Sequence, residues 1–232
     1  MTMTSMLVRA VLLAVAGILL QYLFIKEEHD ENWVRADLLK GTASLMFVLI
    51  GLMGFMKLPT SGYFLFVYLG LVFGALGDLL LNLRYVYPAN GQKIFLGGIL
   101  VFLIGHIFYL VAQLPLCPKK LPAVLLGCAL TAVTLFLVFR VIEAKPAFKI
   151  FGVFYLGAII ILTVVSVWNF FTYPNVPTAL FALGTVLFTA SDIILILNTF
   201  GGEQTYKRRI ANLSLYYAGQ LLIAFSLLFI KV

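Results

Sequence analysis

Charged residues are scarce in this chain: Asp, Glu, Lys and Arg make up 11% of its 232 residues, whereas hydrophobic residues make up 63%. A soluble domain carries about 25% charged residues, so this composition excludes an ordinary water-soluble protein. The apolar residues also form long unbroken runs. An outer-membrane barrel would instead alternate polar and apolar positions, which excludes that architecture too. The sequence predicts an all-α membrane protein that crosses the bilayer several times.

Cysteine and histidine are rare as well, with two of each. Cys117 and Cys128 have neither zinc-type spacing nor the pattern of a disulfide framework, and we interpret both as small apolar residues at helix ends. The basic residues give a net charge of +7, but they occupy short loops, where they orient helices in a membrane. This charge therefore does not indicate nucleic-acid binding.

Eight segments are long enough to cross the bilayer, which takes about 20 predominantly apolar residues. We interpret the first as a membrane helix rather than a cleaved signal peptide, because it lacks a basic leader and is long enough to span. The connections are short, and the longest, residues 26–36, contains an acidic cluster. The sequence thus predicts a single integral membrane domain over residues 1–232. Its predicted spans are approximately residues 6–25, 37–56, 62–83, 93–114, 121–141, 148–170, 177–199 and 209–231.

Lys and Arg are distributed unevenly between the two sets of loops. Eleven of the sixteen lie at the connections that follow the odd-numbered helices, and five lie on the side of the termini. Because positively charged loops favour the cytoplasm, we expect the odd-numbered connections to be cytoplasmic and both termini to be outside. The pattern fits a bacterial inner membrane or an endoplasmic reticulum membrane equally well.

A weak internal duplication is visible when the chain is shifted by 114 residues. Helices 3 and 4 then correspond to helices 7 and 8, which would make the chain two parallel four-helix repeats. Chance matching between leucine-rich segments is the alternative explanation. The shift aligns Leu69-Gly70 with Leu183-Gly184, Asp78 with Asp192, and Gly105 with Gly219.

Two acidic residues, Asp78 and Asp192, lie deep in long apolar segments. Ionisable side chains at such positions are costly and usually mark a functional site. From the predicted helix ends, we expect Asp78 about 9 Å and Asp192 about 12 Å inside the odd-loop end of the membrane. Other polar residues reach similar depths, which predicts a pocket open to one side of the membrane. They are Lys40, Asn82, His106, Tyr109, Tyr216, Tyr217 and Gln220.

Structural roles compete with functional ones for these residues. Lys40 or a tyrosine hydroxyl could satisfy each aspartate, and Lys40 could instead extend to the lipid headgroups. His106 is equally consistent with packing and with positioning a substrate. A metal site is disfavoured: one histidine and two aspartates are the minimum set for catalytic zinc, and His106 belongs to neither an HxxxH nor an ExxH element.

Four short blocks contain most of these polar residues: Phe73-Gly-Ala-Leu-Gly-Asp-Leu-Leu-Leu81, Gly105-His-Ile-Phe-Tyr109, Ser191-Asp-Ile-Ile-Leu-Ile-Leu-Asn-Thr-Phe200 and Tyr216-Tyr-Ala-Gly-Gln220. The blocks resemble the YhhN-like membrane proteins, the lysoplasmalogenase family. That family has a Gly-Asp pair in helix 3, HxxY in helix 4, Ser-Asp followed by Asn-x-Phe in helix 7, and YYxxQ in helix 8. Lys40 matches the family's helix 2 lysine, although the proline that often follows it is Gly41 here.

The resemblance implies an enzyme that hydrolyses the vinyl ether bond of lysoplasmalogens to a fatty aldehyde and glycerophosphocholine or glycerophosphoethanolamine. It implies no metal or organic cofactor, and it implies a lysophospholipid substrate and membrane lipids as partners. Asp78 and Asp192 match the positions thought to be catalytic in the family. The supporting positions that the match implies are Lys40, Asn82, His106, Tyr109, Ser191, Asn198, Tyr216, Tyr217 and Gln220.

Vinyl ether hydrolysis can use one protonated aspartate as the acid and one ionised aspartate to stabilise the cation and orient water. From the sequence, either aspartate could take either role. Two other classes of protein stay open. Intramembrane carboxylates could carry protons or a small solute in a transporter, and the same fold could bind lysolipid without turning it over. The oligomeric state is open as well.

Overall fold

The computed structural model describes residues 2–231 and shows a bundle of α-helices. Within this part of the chain there are eight α-helices and no strand, and every helix is long and apolar enough to cross a membrane. The predicted fold class, an all-α membrane protein with eight spans, is confirmed. The helices are α1 (Met3–His29), α2 (Trp33–Phe55), α3 (Gly62–Val86), α4 (Gly91–Gln113), α5 (Lys120–Phe139), α6 (Pro146–Thr172), α7 (Val176–Phe200) and α8 (Tyr206–Phe229).

Several helices extend beyond the predicted apolar spans, because their end turns contain charged or polar residues that the hydropathy pattern leaves out. The largest differences, of four residues, are at the end of α1, which continues to His29 instead of residue 25, and at the start of α2, which begins at Trp33 instead of residue 37. Glu27 and Glu28 therefore belong to a helix, and the predicted long connection over residues 26–36 is wrong: only residues 30–32 join α1 to α2. In the opposite sense, α2, α5 and α8 end one or two residues earlier than predicted.

The start of α7 is fixed by a capping box. The Asn175 side chain accepts the Thr178 backbone N–H at 3.0 Å, and the Thr178 hydroxyl accepts the Asn175 backbone N–H at 3.2 Å. Pro177 lies in the first turn, where its missing N–H costs no hydrogen bond. This cap defines where α7 begins and, with it, the depth of Asp192.

Helix α8 is central to the bundle and contacts α1, α2, α3 and α7, whereas α5 packs mainly on α6. Large apolar side chains are exposed along α1 and α5. Such surfaces suit contact with lipid tails, because helices in a bilayer need no polar outer face. The connections that follow α1, α3, α5 and α7 all lie at one end of the bundle, called here the odd-loop side.

The two intramembrane aspartates lie at the same depth. Asp78 is eight residues before Val86, the last residue of α3, and Asp192 is eight residues before Phe200, the last residue of α7. At 1.5 Å per residue, each is about 12 Å from the odd-loop end of its helix. The expected depth of Asp192 agrees with this value, and Asp78 is deeper than expected because α3 continues past residue 83.

Packing of α3 on α4 repeats the packing of α7 on α8. A Cβ atom on Gly105 would lie 3.2 Å from the Gly70 carbonyl oxygen, and one on Gly219 would lie 2.7 Å from the Gly184 carbonyl oxygen. These two pairs correspond under the 114-residue shift. Both helix pairs therefore approach closely at equivalent glycines, which supports the predicted duplication.

Candidate active site

Asp78 is 2% exposed and is surrounded by donors from α2 and α8. Lys40 Nζ lies 3.3 Å from its Oδ1 atom. Its Oδ2 atom accepts hydrogen bonds from Ser44 Oγ at 2.6 Å and from the Tyr216 hydroxyl at 2.7 Å. An ammonium group and two hydroxyl donors match the acceptor capacity of an ionised carboxylate.

Lys40 is itself buried, with 3% of its surface exposed. Its side chain pairs with Asp78 inside the bundle and does not extend to the lipid headgroups. Of the alternatives that the sequence left open, the ion pair is the one observed. Removing one partner of such a buried pair leaves an uncompensated charge, so the two residues stabilise the fold only together.

Tyr217 supports the Asp78 site through Ser44. Its hydroxyl lies 2.8 Å from Ser44 Oγ and 3.1 Å from the Lys40 carbonyl oxygen. The Tyr217 hydroxyl donates to the Lys40 carbonyl oxygen, and its contact with Ser44 does not fix which oxygen donates. The Tyr217 and Ser44 hydroxyl groups therefore form a connected row that reaches the Asp78 carboxylate.

Asp192 has different surroundings, although it is similarly buried at 3% exposure. The Tyr155 hydroxyl, from α6, donates to its Oδ2 atom at 2.8 Å. Elsewhere in residues 2–231, no side chain donates a hydrogen bond to Asp192, and no Lys or Arg lies within 4 Å of it. A buried carboxyl group with one donor and no cation suits the neutral, protonated form better than the ionised form.

One narrow cavity of about 30 Å³ joins the two aspartates. It extends toward the odd-loop side, where α3 ends and α8 begins. Both carboxyl groups and the Tyr155 and Tyr216 side chains lie on its wall. The polar residues that line it are Lys40, Asp78, Arg84, Tyr155, Ser191, Asp192, Arg209, Asn212 and Tyr216.

A second cavity, of about 50 Å³, adjoins the first and is lined almost entirely by apolar side chains. Phe102 and Tyr155 belong to both cavities, as does Leu195. The remaining walls come from α4, α5, α6 and α7 and from the α5–α6 connection. This space therefore lies beside the carboxylate cavity and extends toward the odd-loop end at the α5 edge of the bundle. A polar space that contains two carboxyl groups and an adjoining apolar space match the two halves of an amphiphile in polarity.

The predicted residues Tyr109 and Gln220 orient Tyr216. The Tyr109 hydroxyl donates to Gln220 Oε1 at 2.8 Å, and Gln220 Nε2 donates to the Tyr216 hydroxyl oxygen at 3.4 Å. Tyr216 is therefore left to donate its own proton to Asp78. These residues come from α4 and α8, so this series of hydrogen bonds connects both helices to the Asp78 carboxylate.

Two predicted residues of α7 have structural partners. Ser191 Oγ donates to the Asn212 carbonyl oxygen at 3.0 Å, and Asn212 Nδ2 donates back to Ser191 Oγ at 2.8 Å, on the cavity wall. Asn198 lies outside this cavity, where its Oδ1 atom accepts the Thr205 backbone N–H at 2.8 Å. Ser191 thus joins α7 to α8 beside the site, and Asn198 orders the connection between these helices.

Asn82 and His106 are buried but do not line either cavity. The His106 ring packs on Phe188 and Tyr155, with centroid distances of 4.8 and 5.1 Å. Its two nitrogens, like the amide atoms of Asn82, have no hydrogen-bond partner in the described chain. His106 therefore reaches the site through Tyr155 and through Phe188, whose ring packs on that of Tyr216. Within residues 2–231, no three His, Cys, Asp or Glu side chains are grouped as metal ligands would be.

Sequence reasoning missed several residues of the site. Ser44 lies four residues after Lys40, on the same face of α2, and this spacing was a usable signal. Tyr155 gave no such signal, because it is one aromatic residue among many in an apolar helix. The cavity-lining residues Asn212 and Arg209 lie near the start of α8, where polar residues are expected at a membrane surface.

Eight membrane-spanning helices and a cavity with two buried aspartates define a multi-pass integral membrane protein with an intramembrane carboxylate site. Residues 35–227, most of the chain, match the YhhN family. The protein belongs to this family, which is the lysoplasmalogenase family, and the resemblance seen in the four sequence blocks is confirmed. No curated protein and no solved structure matches the chain.

Proposed function

We propose that this protein is a lysoplasmalogenase, which hydrolyses the vinyl ether bond of a lysoplasmalogen to a fatty aldehyde and a glycerophospho-alcohol. Its family is consistent with a hydrolase of this kind. The observation that carries the proposal is the contrast between the two aspartates on one cavity wall: Asp78 has a cation and two hydroxyl donors, and Asp192 has one hydroxyl donor.

The two adjoining cavities suit the two ends of this substrate. The alkenyl chain occupies the apolar cavity, whose lining is as apolar as the lipid tails that the chain leaves, so the chain moves from membrane to protein at little cost. The glycerol end occupies the polar cavity on the odd-loop side. The vinyl ether group, which joins the two ends, then lies beside Asp78 and Asp192 in the polar cavity, next to the Phe102 and Tyr155 side chains that both cavities share.

The first step is protonation of the alkene carbon that is farther from the ether oxygen. Asp192 supplies this proton, because its surroundings favour the protonated form. Tyr155 occupies Oδ2 as a donor, so the proton resides on Oδ1. As the carbon takes the proton, the double-bond electrons form the new C–H bond, and the positive charge is shared between the other carbon and the ether oxygen as an oxocarbenium ion.

The second step is addition of water to that cation. Asp78, which is ionised and fixed by Lys40, Ser44 and Tyr216, stabilises the positive charge and accepts a proton from the attacking water. A hemiacetal forms. It collapses when its hydroxyl proton returns to Asp192 and the ether oxygen takes the proton held by Asp78, which releases aldehyde and alcohol and restores both groups. Proton transfers of this kind typically accelerate a reaction by about 10²–10⁴-fold.

The test is incubation of the purified protein with a lysoplasmalogen and, separately, with its saturated-ether analogue, followed by aldehyde measurement. We expect aldehyde from the vinyl ether alone, because the saturated analogue has no alkene to protonate. Asp78→Asn and Asp192→Asn should each abolish aldehyde release while the protein still folds. The matched control is Asp30→Asn, at an exposed position that ends α1.

Three results would contradict this proposal. Near-normal turnover in either aspartate variant would remove that residue from the chemistry. Binding of lysolipid without turnover of any substrate would indicate a silent binding protein. Substrate-dependent uptake into proteoliposomes without aldehyde would indicate a transporter.

A further inference from the structure

A third cavity lies on the odd-loop side of the carboxylate cavity and is called here the vestibule. It is lined by side chains from the ends of α1, α3 and α7 and the starts of α2 and α8. The vestibule and the carboxylate cavity share Arg84, Leu195 and Arg209, so the two spaces are adjacent at these side chains. The polar and aromatic residues on its walls include Glu28, Trp33, Arg84, Asn198, Tyr206 and Arg209.

The two arginines between these cavities differ in their charge balance. Arg209 Nη2 lies 2.5 Å from Glu28 Oε1, and its Nε donates to Glu28 Oε2 at 2.8 Å. This two-point pair neutralises Arg209 and ties α8 to α1. For Arg84, no carboxylate of the described chain lies within 4 Å. Arg84 therefore contributes an uncompensated positive charge where the two cavities meet.

Aromatic contacts hold the Arg84 guanidinium group in place. Its central carbon lies 4.4 Å from the Phe95 ring centroid and 4.6 Å from that of Tyr85. Its Nη2 atom donates a hydrogen bond to the Tyr85 hydroxyl oxygen at 2.6 Å. The buried Nε atom has no hydrogen-bond partner within residues 2–231. A guanidinium group has five N–H donors, so this one is fixed in orientation and still has donors to offer.

We propose that Arg84 binds the phosphate group of a lysophospholipid, and that the enzyme thereby selects phosphorylated lysolipids over neutral alkenylglycerols. The inference rests on the proposed function for the placement of the substrate. A planar guanidinium group forms paired hydrogen bonds to phosphate oxygens. A fixed arginine without a counter-ion, on the wall of the cavity that contains both aspartates, is the site for that anion.

The geometry also explains why Lys40 does not serve this purpose. Lys40 lines the same cavity, but its ammonium group is already paired with Asp78. Arg84 is six residues after Asp78 on α3, which places it about 9 Å nearer the odd-loop side. The glycerol unit of a lysolipid separates the vinyl ether from the phosphate, so the phosphate end points toward Arg84 when the ether lies at the carboxylates.

The experiment measures binding of ligands that cannot be hydrolysed, so it does not depend on turnover. Purified full-length protein is titrated with a 1-alkyl lysophosphocholine, which has a saturated ether, and with the matching 1-alkylglycerol, which lacks the phosphate. We expect Arg84→Gln to weaken lysophosphocholine binding by about tenfold or more and to leave alkylglycerol binding unchanged. Arg84→Lys, which keeps the charge but loses the planar fork, should give an intermediate loss.

Arg35→Gln is the matched control, because Arg35 is exposed on the odd-loop side and lines none of the three cavities. Equal affinity of the wild type for the two lipids, or an equal loss of both in the Arg84 variants, would overturn the proposal. Inorganic phosphate that binds as tightly as the lysolipid would assign the site to free phosphate instead. The Arg84 variants could lose lysophosphocholine binding selectively while neither they nor the wild type releases aldehyde. That result would support the phosphate site and contradict the proposed hydrolysis.

Discussion

Tyr155 donates its hydroxyl proton to Oδ2 of Asp192 at 2.8 Å, and it is the one side chain in residues 2–231 that donates a hydrogen bond to this aspartate. The two residues come from neighbouring helices, α6 and α7. The bond fixes which carboxyl oxygen is occupied and which one faces the cavity with its proton. It therefore determines the direction in which the proposed acid acts.

We expect Tyr155→Phe to lower kcat by about 10²-fold with little change in KM, because the carboxyl group loses its orientation but the cavity keeps its shape. Aldehyde release at several lysoplasmalogen concentrations measures both constants. The matched control is Tyr63→Phe, which removes a hydroxyl that accepts from Gln113 near the opposite end of the bundle. Unchanged kcat in Tyr155→Phe would show that the hydrogen bond does not direct the acid.

Lys40→Met should abolish activity and destabilise the protein by about 3–5 kcal/mol, because it leaves Asp78 buried without its cation. Combining Lys40→Met with Asp78→Asn should restore most of the stability and none of the activity, since neither charge is then present. Thermal unfolding in detergent measures the stability of each variant, and aldehyde release measures its activity. Additive losses of stability in the double variant would contradict the coupling.

Gly152 gives access to the apolar cavity, because a Cβ atom at this position would meet nothing within 4 Å. Gly152→Leu should fill part of that space and weaken the use of long-chain lysoplasmalogens by about tenfold or more, since the leucine side chain would overlap the end of a long alkenyl chain. Short-chain substrates should be unaffected. Gly97→Leu is the control: Gly97 is also unobstructed but does not line the cavity. Equal effects on all chain lengths would place the alkenyl chain elsewhere.

Gly219→Ala should destabilise the protein by about 1–3 kcal/mol, because the added methyl group would lie 2.7 Å from the Gly184 carbonyl oxygen and 3.2 Å from the Phe188 backbone nitrogen. Gly97→Ala, with open space around it, should be neutral or slightly stabilising. The midpoint of thermal unfolding compares the two. A neutral Gly219→Ala would mean that α7 and α8 can move apart at this crossing without cost.

The orientation predicted from loop charges also has a direct test. With Cys117 and Cys128 replaced by alanine, single cysteines introduced at Gln204, on the odd-loop side, and at exposed Thr60, on the opposite side, can be labelled in intact cells with a membrane-impermeant thiol reagent. With cytoplasmic odd loops, Thr60→Cys is labelled and Gln204→Cys is protected until the membrane is opened. The reverse pattern would place the vestibule outside the cytoplasm.

The fold was predictable because membrane spans depend on local composition: each apolar run became a helix, and errors were confined to the ends. The same reasoning found Asp78, Lys40 and Tyr216, since a charged or polar group at that depth needs partners. It could not find Tyr155. Tyr155 matters because Asp192 of α7 lies next to it. The sequence of an apolar helix does not indicate which residue of a neighbouring helix each side chain contacts.

The two aspartates were also indistinguishable in sequence, because both lie in apolar runs at similar depths. Their difference comes from α2, α6 and α8, which supply three donors to Asp78 and one to Asp192. The number of donors around each aspartate depends on which helices pack together, and hydropathy alone does not encode helix pairing. The role of each aspartate in the proposed mechanism therefore follows from tertiary contacts.

The carboxylate cavity and the cavity that adjoins it have opposite linings, one polar and one apolar. In the proposed reaction, the cut bond is the one that holds a lipid-soluble fragment and a water-soluble fragment together. Each fragment is left on its own side at the moment of cleavage, the aldehyde near the edge of the bundle and the glycerophospho-alcohol near the vestibule. Their departure into two different phases makes recombination at the site ineffective, so product partition itself favours the forward reaction.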